Sequence, residues 1–302
     1  MRSPVLDSAL EIIFRELKGI INRDDFSEYS AKRNEGEKYT QTIFRTWNGE
    51  KFSRLVVEQY TVNSKAYGVV LNIYPKPEFG IPIMTFQLGG QIPDRVIYVL
   101  DIIPVVKKGS DPGISEMHKR HASGMSNLGS AQEWINDICS ENALICQYKP
   151  LEPEKLLNAL TDYLCYWRDR FYLPAEPGIS GEEKTEAIEN ILKFKSLLHA
   201  NDAGLEIYLK KFGKEMAAAI EAAAFGSEPS LQGNAVVEIE TRVQAEETEL
   251  QNGDIRWADD ALQYVQDAPR FVRGQIRSNA EKKALSIGIK EITRDFIEKL
   301  RK

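Results

Sequence analysis

Apolar and polar positions along this chain change period twice. Near the N-terminus Val5, Ala9, Ile12, Ile13, Leu17 and Ile20 fall on one helical face. Ser3 and Pro4 just before them supply an N-cap and a proline in the first turn, so a helix is expected. A polar loop is expected next. From Thr40 to Pro104 the period shortens to that of strands. Trp47-Asn48-Gly49-Glu50 predicts a tight type I′ hairpin turn, because Asn-Gly accepts positive φ. Strands are expected over Phe52–Tyr60, Tyr67–Tyr74, Ile81–Leu88 and Arg95–Ile103. Asn63-Ser64, Pro75-Lys76-Pro77, Gly89-Gly90 and Pro104 are the turn signals between and after them. Such short links give an antiparallel meander rather than βαβ units.

From about Ala131 the period becomes helical. Leu156, Leu157, Leu160, Leu164 and Trp167 predict one helix, and Ile188, Ile191, Leu192 and Leu198 a second. Leu205, Leu209, Phe212, Met216 and Ile220 predict a third. The fold class expected is α/β, a three-layer α/β/α sandwich with a central antiparallel sheet, plus a small all-helical C-terminal domain. Gly226–Asp254 interrupts the pattern with Gly, Ser, Pro and Gln, seven acidic residues and one basic residue, Arg242. It reads as an acidic linker, with Ala235–Val243 able to pair as a short edge strand. The expected division is residues 1–226, a linker over 227–253, and a helical module over 254–302.

Composition narrows the function. The net charge of −6 argues against general nucleic-acid binding, which needs a basic footprint. Cys139, Cys146 and Cys165 show no CxxC spacing, so they give neither a disulfide framework nor a four-cysteine metal site. They read as reduced, buried thiols. His118 and His121 sit in a polar Gly/Ser-rich stretch that does not read as a metal site. No phosphate-binding glycine fingerprint follows any strand, which excludes a Rossmann reading. No apolar run reaches the ~18 residues of a membrane span, and the N-terminus reads as a helix rather than a signal peptide. No transmembrane segment and a cytoplasmic location are therefore expected.

The block Leu71-Asn72-Ile73-Tyr74-Pro75-Lys76-Pro77-Glu78-Phe79-Gly80-Ile81-Pro82-Ile83 resembles the signature of the ferredoxin-dependent bilin reductases. There a strand ends in an aromatic-Pro-basic turn, and an x-Pro-Ile start to the next strand follows. Val99-Leu100-Asp101-Ile102-Ile103-Pro104 resembles the family's next strand, with its Asp-x-x-Pro turn. Ala200-Asn201-Asp202, Phe212-Gly213-Lys214-Glu215 and Phe225 resemble its C-terminal region. The similarity spans about Leu10 to Phe225. It implies a linear tetrapyrrole held between the sheet and the C-terminal helices, no tightly bound cofactor, and electrons delivered singly by reduced ferredoxin.

The same resemblance assigns candidate residues. Asp202 matches the family aspartate that follows an asparagine, here Asn201, ahead of the last long helix. It reads either as a proton source or as an N-cap of that helix. The family's sheet-side acid falls on Gln87, which can hydrogen-bond a lactam but cannot donate a proton at neutral pH. The histidine of some members falls on Val70, or on Asn72 if two residues are gapped. Lys76 stands at the basic position, either meeting a propionate or lying in water as a turn lysine. On this reading the sheet has no proton donor, and Asp202 and Gln87 are the catalytic candidates.

A second resemblance lies at the C-terminus. Trp257, Ala261, Ala268-Pro269-Arg270-Phe271-Val272-Arg273, Arg277, Ala280-Glu281-Lys282, Ala284, Gly288 and Glu291-Ile292-Thr293 follow a recognisable order. It is similar to the small domain ending the B subunit of light-independent protochlorophyllide reductase. There the module lies near the porphyrin-type substrate. The cluster ligands of that subunit are absent from this sequence. Together the two resemblances imply ferredoxin-dependent reduction of a linear bilin or chlorophyll precursor. The alternative is a tetrapyrrole-binding or regulatory protein. A chlorophyll-synthesis complex is the further partner implied.

Overall fold

The computed structural model describes residues 3–21, 25–91, 95–107, 111–123, 133–148, 152–226, 256–267, 276–277, 280, 283–284 and 289–300. Helix α1 (Pro4–Glu16) buries Val5, Leu6, Ala9, Ile12 and Ile13, as the apolar period requires. Pro4 takes the first turn, but the Ser3 side chain makes no capping bond.

Seven strands follow in one antiparallel sheet, and each pairs with its neighbour in sequence. They are β1 (Phe26–Glu35), β2 (Lys38–Trp47), β3 (Phe52–Val62), β4 (Ala66–Pro75), β5 (Ile83–Gln91), β6 (Arg95–Ile103) and β7 (Leu144–Tyr148). The meander is thus longer than the sequence indicates. β1 replaces the expected polar loop, and β7 lies in the stretch expected to be helical. Two turn assignments also change. Positive φ falls on Asn63 and Ser64 (51° and 54°), with Lys65 N–H bonded to Val62 O, so the tight primed turn joins β3 to β4. The Asn48-Gly49 loop has no positive φ. Gly89 and Gly90 lie within β5 rather than in a turn.

The strand period sorts side chains onto two faces. Leu55, Val57, Val69, Leu71, Ile73, Met84, Phe86, Leu88, Tyr98, Leu100 and Ile102 build an apolar face in the main core. A register shift between Phe52 and Arg54 lets Phe52 join it. This face is covered by α1, α2 (Pro112–Ala122), α4 (Pro153–Tyr166) and the π-helical turn Trp167–Tyr172. Trp167 is fully buried and donates from Nε1 to Pro82 O at 2.8 Å, and Tyr98 donates to Leu156 O at 3.0 Å.

The short α3 (Glu133–Ile138) precedes β7, and α5 (Gly181–Asn201), α6 (Ala203–Phe212) and α7 (Lys214–Phe225) complete the order. The single helix expected over Leu205–Ile220 is two, broken at Gly213, whose φ is 86°. Helix α5 buries Ala187, Ile191, Phe194, Lys195 and His199, while Ile188 and Leu192 are exposed, contrary to the expected apolar face. Helix layers on both sides of one antiparallel sheet make the α/β/α sandwich expected.

His118 and His121 lie on α2, where His118 Nδ1 sits 3.0 Å from Asn142 O and His121 Nε2 2.9 Å from Asp162. No cluster of His, Cys, Asp or Glu fit to hold a metal occurs among the described residues. The three cysteines are free, with Cys146 buried and the other two partly so. No helix among the described residues is long and apolar enough to cross a membrane.

The linker expected over 227–253, including Ala235–Val243, lies outside the described residues. The C-terminal module forms its own small core from Ala261, Val265, Ala280, Ala284, Ile292 and Ile297. Its helices α8 (Asp259–Asp267) and α9 (Arg294–Lys299) are accompanied by a two-residue parallel pairing of Arg256–Trp257 (β8) with Glu291–Ile292 (β9).

Candidate functional site

The second face of the sheet is built differently. Registry aligns its side chains in three rows across the strands. Thr46, Val56, Asn72, Thr85 and Asp101 form the first row, and Phe44, Glu58, Val70, Gln87 and Val99 the second. The third runs Thr42, Tyr60, Gly68, Gly89 and Ile97. Thr42, Thr46, Glu58, Asn72, Thr85 and Asp101 are all buried. An apolar face here would pack at lower cost, since buried polar groups must be satisfied and buried charges paired. This concentration of polar groups under a helical cover marks the candidate site.

The cover is polar too. From α5, Phe194 packs on the Tyr74 ring at 6.2 Å, and Lys195 Nζ sits 4.9 Å from its centroid. Lys195 is buried and donates to Phe225 O at 3.0 Å, while Arg54 of β3 donates to Ala223 O of α7 at 3.1 Å. His199 Nε2 lies 3.2 Å from Glu221 Oε1, both buried. The two are at ion-pair distance but not aligned for a hydrogen bond. Tyr208 packs edge-on against Phe44.

Sequence reasoning missed Glu58. The residue is 8% exposed, and its carboxylate accepts from Thr42 Oγ1 at 3.2 Å and from the Tyr208 hydroxyl. It stands directly opposite Val70, which stands opposite Gln87. A carboxylate that the sequence reading does not include thus occupies the Val70–Gln87 row, one strand over. The signal available in sequence was a Glu in phase with Val56 and Tyr60 on a strand rich in β-branched residues.

A second acid, Asp101, is fully buried at the far end of the Asn72–Thr85 row. It accepts from Ser140 N at 2.6 Å and Ser140 Oγ at 2.7 Å. Burial pushes its carboxyl from the ordinary 3.8 up to about 6, against the opposing pull of the Ser140 bonds and of His118. Burial, with Asp101 nearby, also pushes the Cys139 thiol up, so it stays protonated and inert. Ser140 and Cys139 line a cavity of about 380 Å³ between the end of β6, the start of α2, α3 and α5.

The structure brings three of the six sequence candidates together. Asn72, Val70 and Gln87 share the polar face, and Asn72 Oδ1 accepts from Thr85 Oγ1 at 2.7 Å. Lys76 sits in the turn beyond β4, its N–H bonded to Lys51 O. Asn201 ends α5 with Nδ2 on Leu197 O at 2.8 Å. Asp202 opens α6, with Oδ1 accepting from Gly204 N at 2.7 Å, the short-range bond of a capping residue.

Comparison with solved structures finds the same fold. Phytochromobilin synthase from tomato, solved in complex with biliverdin, aligns with a TM-score of 0.55 at 15% identity. The alignment covers 74% of this chain and 84% of that one. PcyX aligns over 72% of this chain and 94% of its own at 14% identity, with a TM-score of 0.34 too low to argue from. No curated protein matches the chain. Residues 257–301 match the family described as the proto-chlorophyllide reductase 57 kD subunit. The chain therefore carries the fold of phytochromobilin synthase across most of its length and ends in a segment matching the protochlorophyllide reductase 57 kD subunit family.

Proposed function

We propose that the chain binds a tetrapyrrole on the polar face of its sheet and reduces it with electrons from ferredoxin. The observation that carries this reading is the buried acid Glu58 in one row with Val70 and Gln87, on a polar face roofed by helices. Reduction of one double bond takes two electrons, one from each of two reduced ferredoxins, and two protons. No cofactor bound to the chain enters the scheme.

Each group has a distinct part. Glu58 supplies a proton from the sheet. Gln87 and Asn72 orient ring carbonyls or nitrogens, and Val70 packs against the ligand. Lys76 faces a propionate. Asp202, with Asn201 before it, supplies the second proton from the helical side, one of its oxygens already committed to the cap. The fold shared with a protein solved around biliverdin supports a tetrapyrrole ligand. The C-terminal segment supports a link to chlorophyll-type tetrapyrroles and to the complex that makes them.

Gln87 and Val70 favour a second reading. Neither can donate a proton, which suits a protein that holds a tetrapyrrole without reducing it. One experiment separates the two. Biliverdin or protochlorophyllide is added to the full chain, the absorption spectrum is recorded, and reduced ferredoxin follows. A shift on binding and a second change on reduction are expected. A binding shift with no later change selects the second reading, and no binding shift rejects both.

A further inference from the structure

The Tyr60 side chain lies down across the sheet instead of standing away from it. A Cβ built on Gly68, its direct cross-strand partner, would sit 2.3 Å from Tyr60 Cζ. One on Gly89, the next residue in the row, would sit 2.2 Å from Tyr60 Oη. Neither distance is tolerable, so the phenol occupies a recess that exists only because both neighbours are glycine. Glycine inside a strand is unfavourable and often marks close approach of another group. The ring remains partly exposed. It borders the Glu58–Val70–Gln87 row: Tyr60 is two residues from Glu58 and Gly89 two from Gln87, on the same face.

We propose that Tyr60 is a specificity-determining contact, an aromatic platform against which one ring of a planar, conjugated ligand packs. The inference rests on the tetrapyrrole reading above and adds to it a named residue and a basis for selectivity. The row offers a carboxylate and an amide for ring nitrogens and carbonyls. The phenol beside it offers the apolar, flat surface that a conjugated ring prefers. Together they favour flat heteroaromatic ligands over aliphatic ones of equal polarity. Gly68 and Gly89 are required so that the ring can lie low against the sheet.

The test is a titration of full-length chain with biliverdin, read by absorbance, on wild type, Tyr60→Phe, Tyr60→Leu and Gly68→Ala. Thermal midpoints are measured alongside. Tyr60→Phe keeps the ring and is expected to bind within about threefold of wild type, since the platform uses the ring face. Tyr60→Leu removes the ring and Gly68→Ala lifts it. Each is expected to weaken binding about tenfold, the usual worth of one aromatic contact. The double variant is expected to be no weaker than either single, because both act on one ring. If Tyr60→Leu does not fold, Gly68→Ala against Tyr60→Phe decides the matter. Wild-type affinity in Tyr60→Leu with a lowered midpoint overturns the platform: the ring then only covers the glycines of the sheet. Failure of wild type itself to bind biliverdin overturns the tetrapyrrole reading and the platform with it.

Discussion

Glu58→Gln is expected to slow ferredoxin-driven reduction of a bound tetrapyrrole by at least about 100-fold, the usual worth of a positioned proton donor. Binding is expected to stay within a few-fold of wild type. The amide oxygen can still accept from Thr42 and from the Tyr208 hydroxyl, both of which bond the carboxylate. The fold and the shape of the row are therefore retained while the transferable proton is lost. Single-turnover reduction measured beside a binding titration separates the two effects. Asp202→Asn is the companion variant. It keeps an acceptor for Gly204 N–H, so α6 should remain capped, and a loss of similar size places the second proton there. Wild-type turnover in Glu58→Gln would return the sheet to a purely orienting role and leave Asp202 as sole donor.

The other large effect concerns Asp101. Its carboxyl titrates near 6 in the fold against an ordinary 3.8, because burial disfavours the charge. The folded chain thus holds this proton more tightly than the unfolded chain. The resulting stabilisation is fully present below about pH 4 and is lost as the pH rises through 6. At neutral pH the ionised group costs on the order of 3 kcal/mol relative to the protonated one. Asn cannot ionise. It can accept from Ser140 N–H and donate to Ser140 Oγ, replacing both bonds. Urea unfolding of wild type and Asp101→Asn across pH 4 to 7.5 should show the variant gaining on wild type by that order as pH rises. Parallel curves would mean that the Ser140 bonds fully offset the cost of burial.

The sequence-based reading succeeded where one physical signal dominated. β3 to β6 are central strands with one largely apolar face, so their period was plain. β1 (FSEYSAKRNE) is an edge strand exposed along nearly its whole length, with Ala31 its only buried residue. Nothing in such a segment alternates, and it reads as loop. β7 has five residues, too few for a period to show. Gly89-Gly90 looked like a turn because glycine in a strand makes sense only once Tyr60 is seen lying over it. The site divides in the same way. Asn72, Val70 and Gln87 were found from motif spacing, and the structure puts them on one face. Glu58 is missed because its place beside Val70 depends on the register set by the tight turn at Asn63-Ser64.

The strict sequence order of the sheet also bears on how the chain assembles. From β1 to β6 every strand pairs with the one just made across a short link, so that part of the sheet can grow hairpin by hairpin, whereas β7 joins only after the connection that carries α2 and α3. Its apolar face has a different history. Leu71 and Phe86 share one core with α1, which precedes the strands, and with α4, which is made only after β7. During synthesis the first helix must wait for its partner while seven strands pass through the ribosome. Until Pro153–Tyr166 emerges, the paired sheet has α1 and α2 to set against its apolar face but lacks α4 and the buried Trp167. That interval is when the nascent chain is most exposed to aggregation and to capture by chaperones.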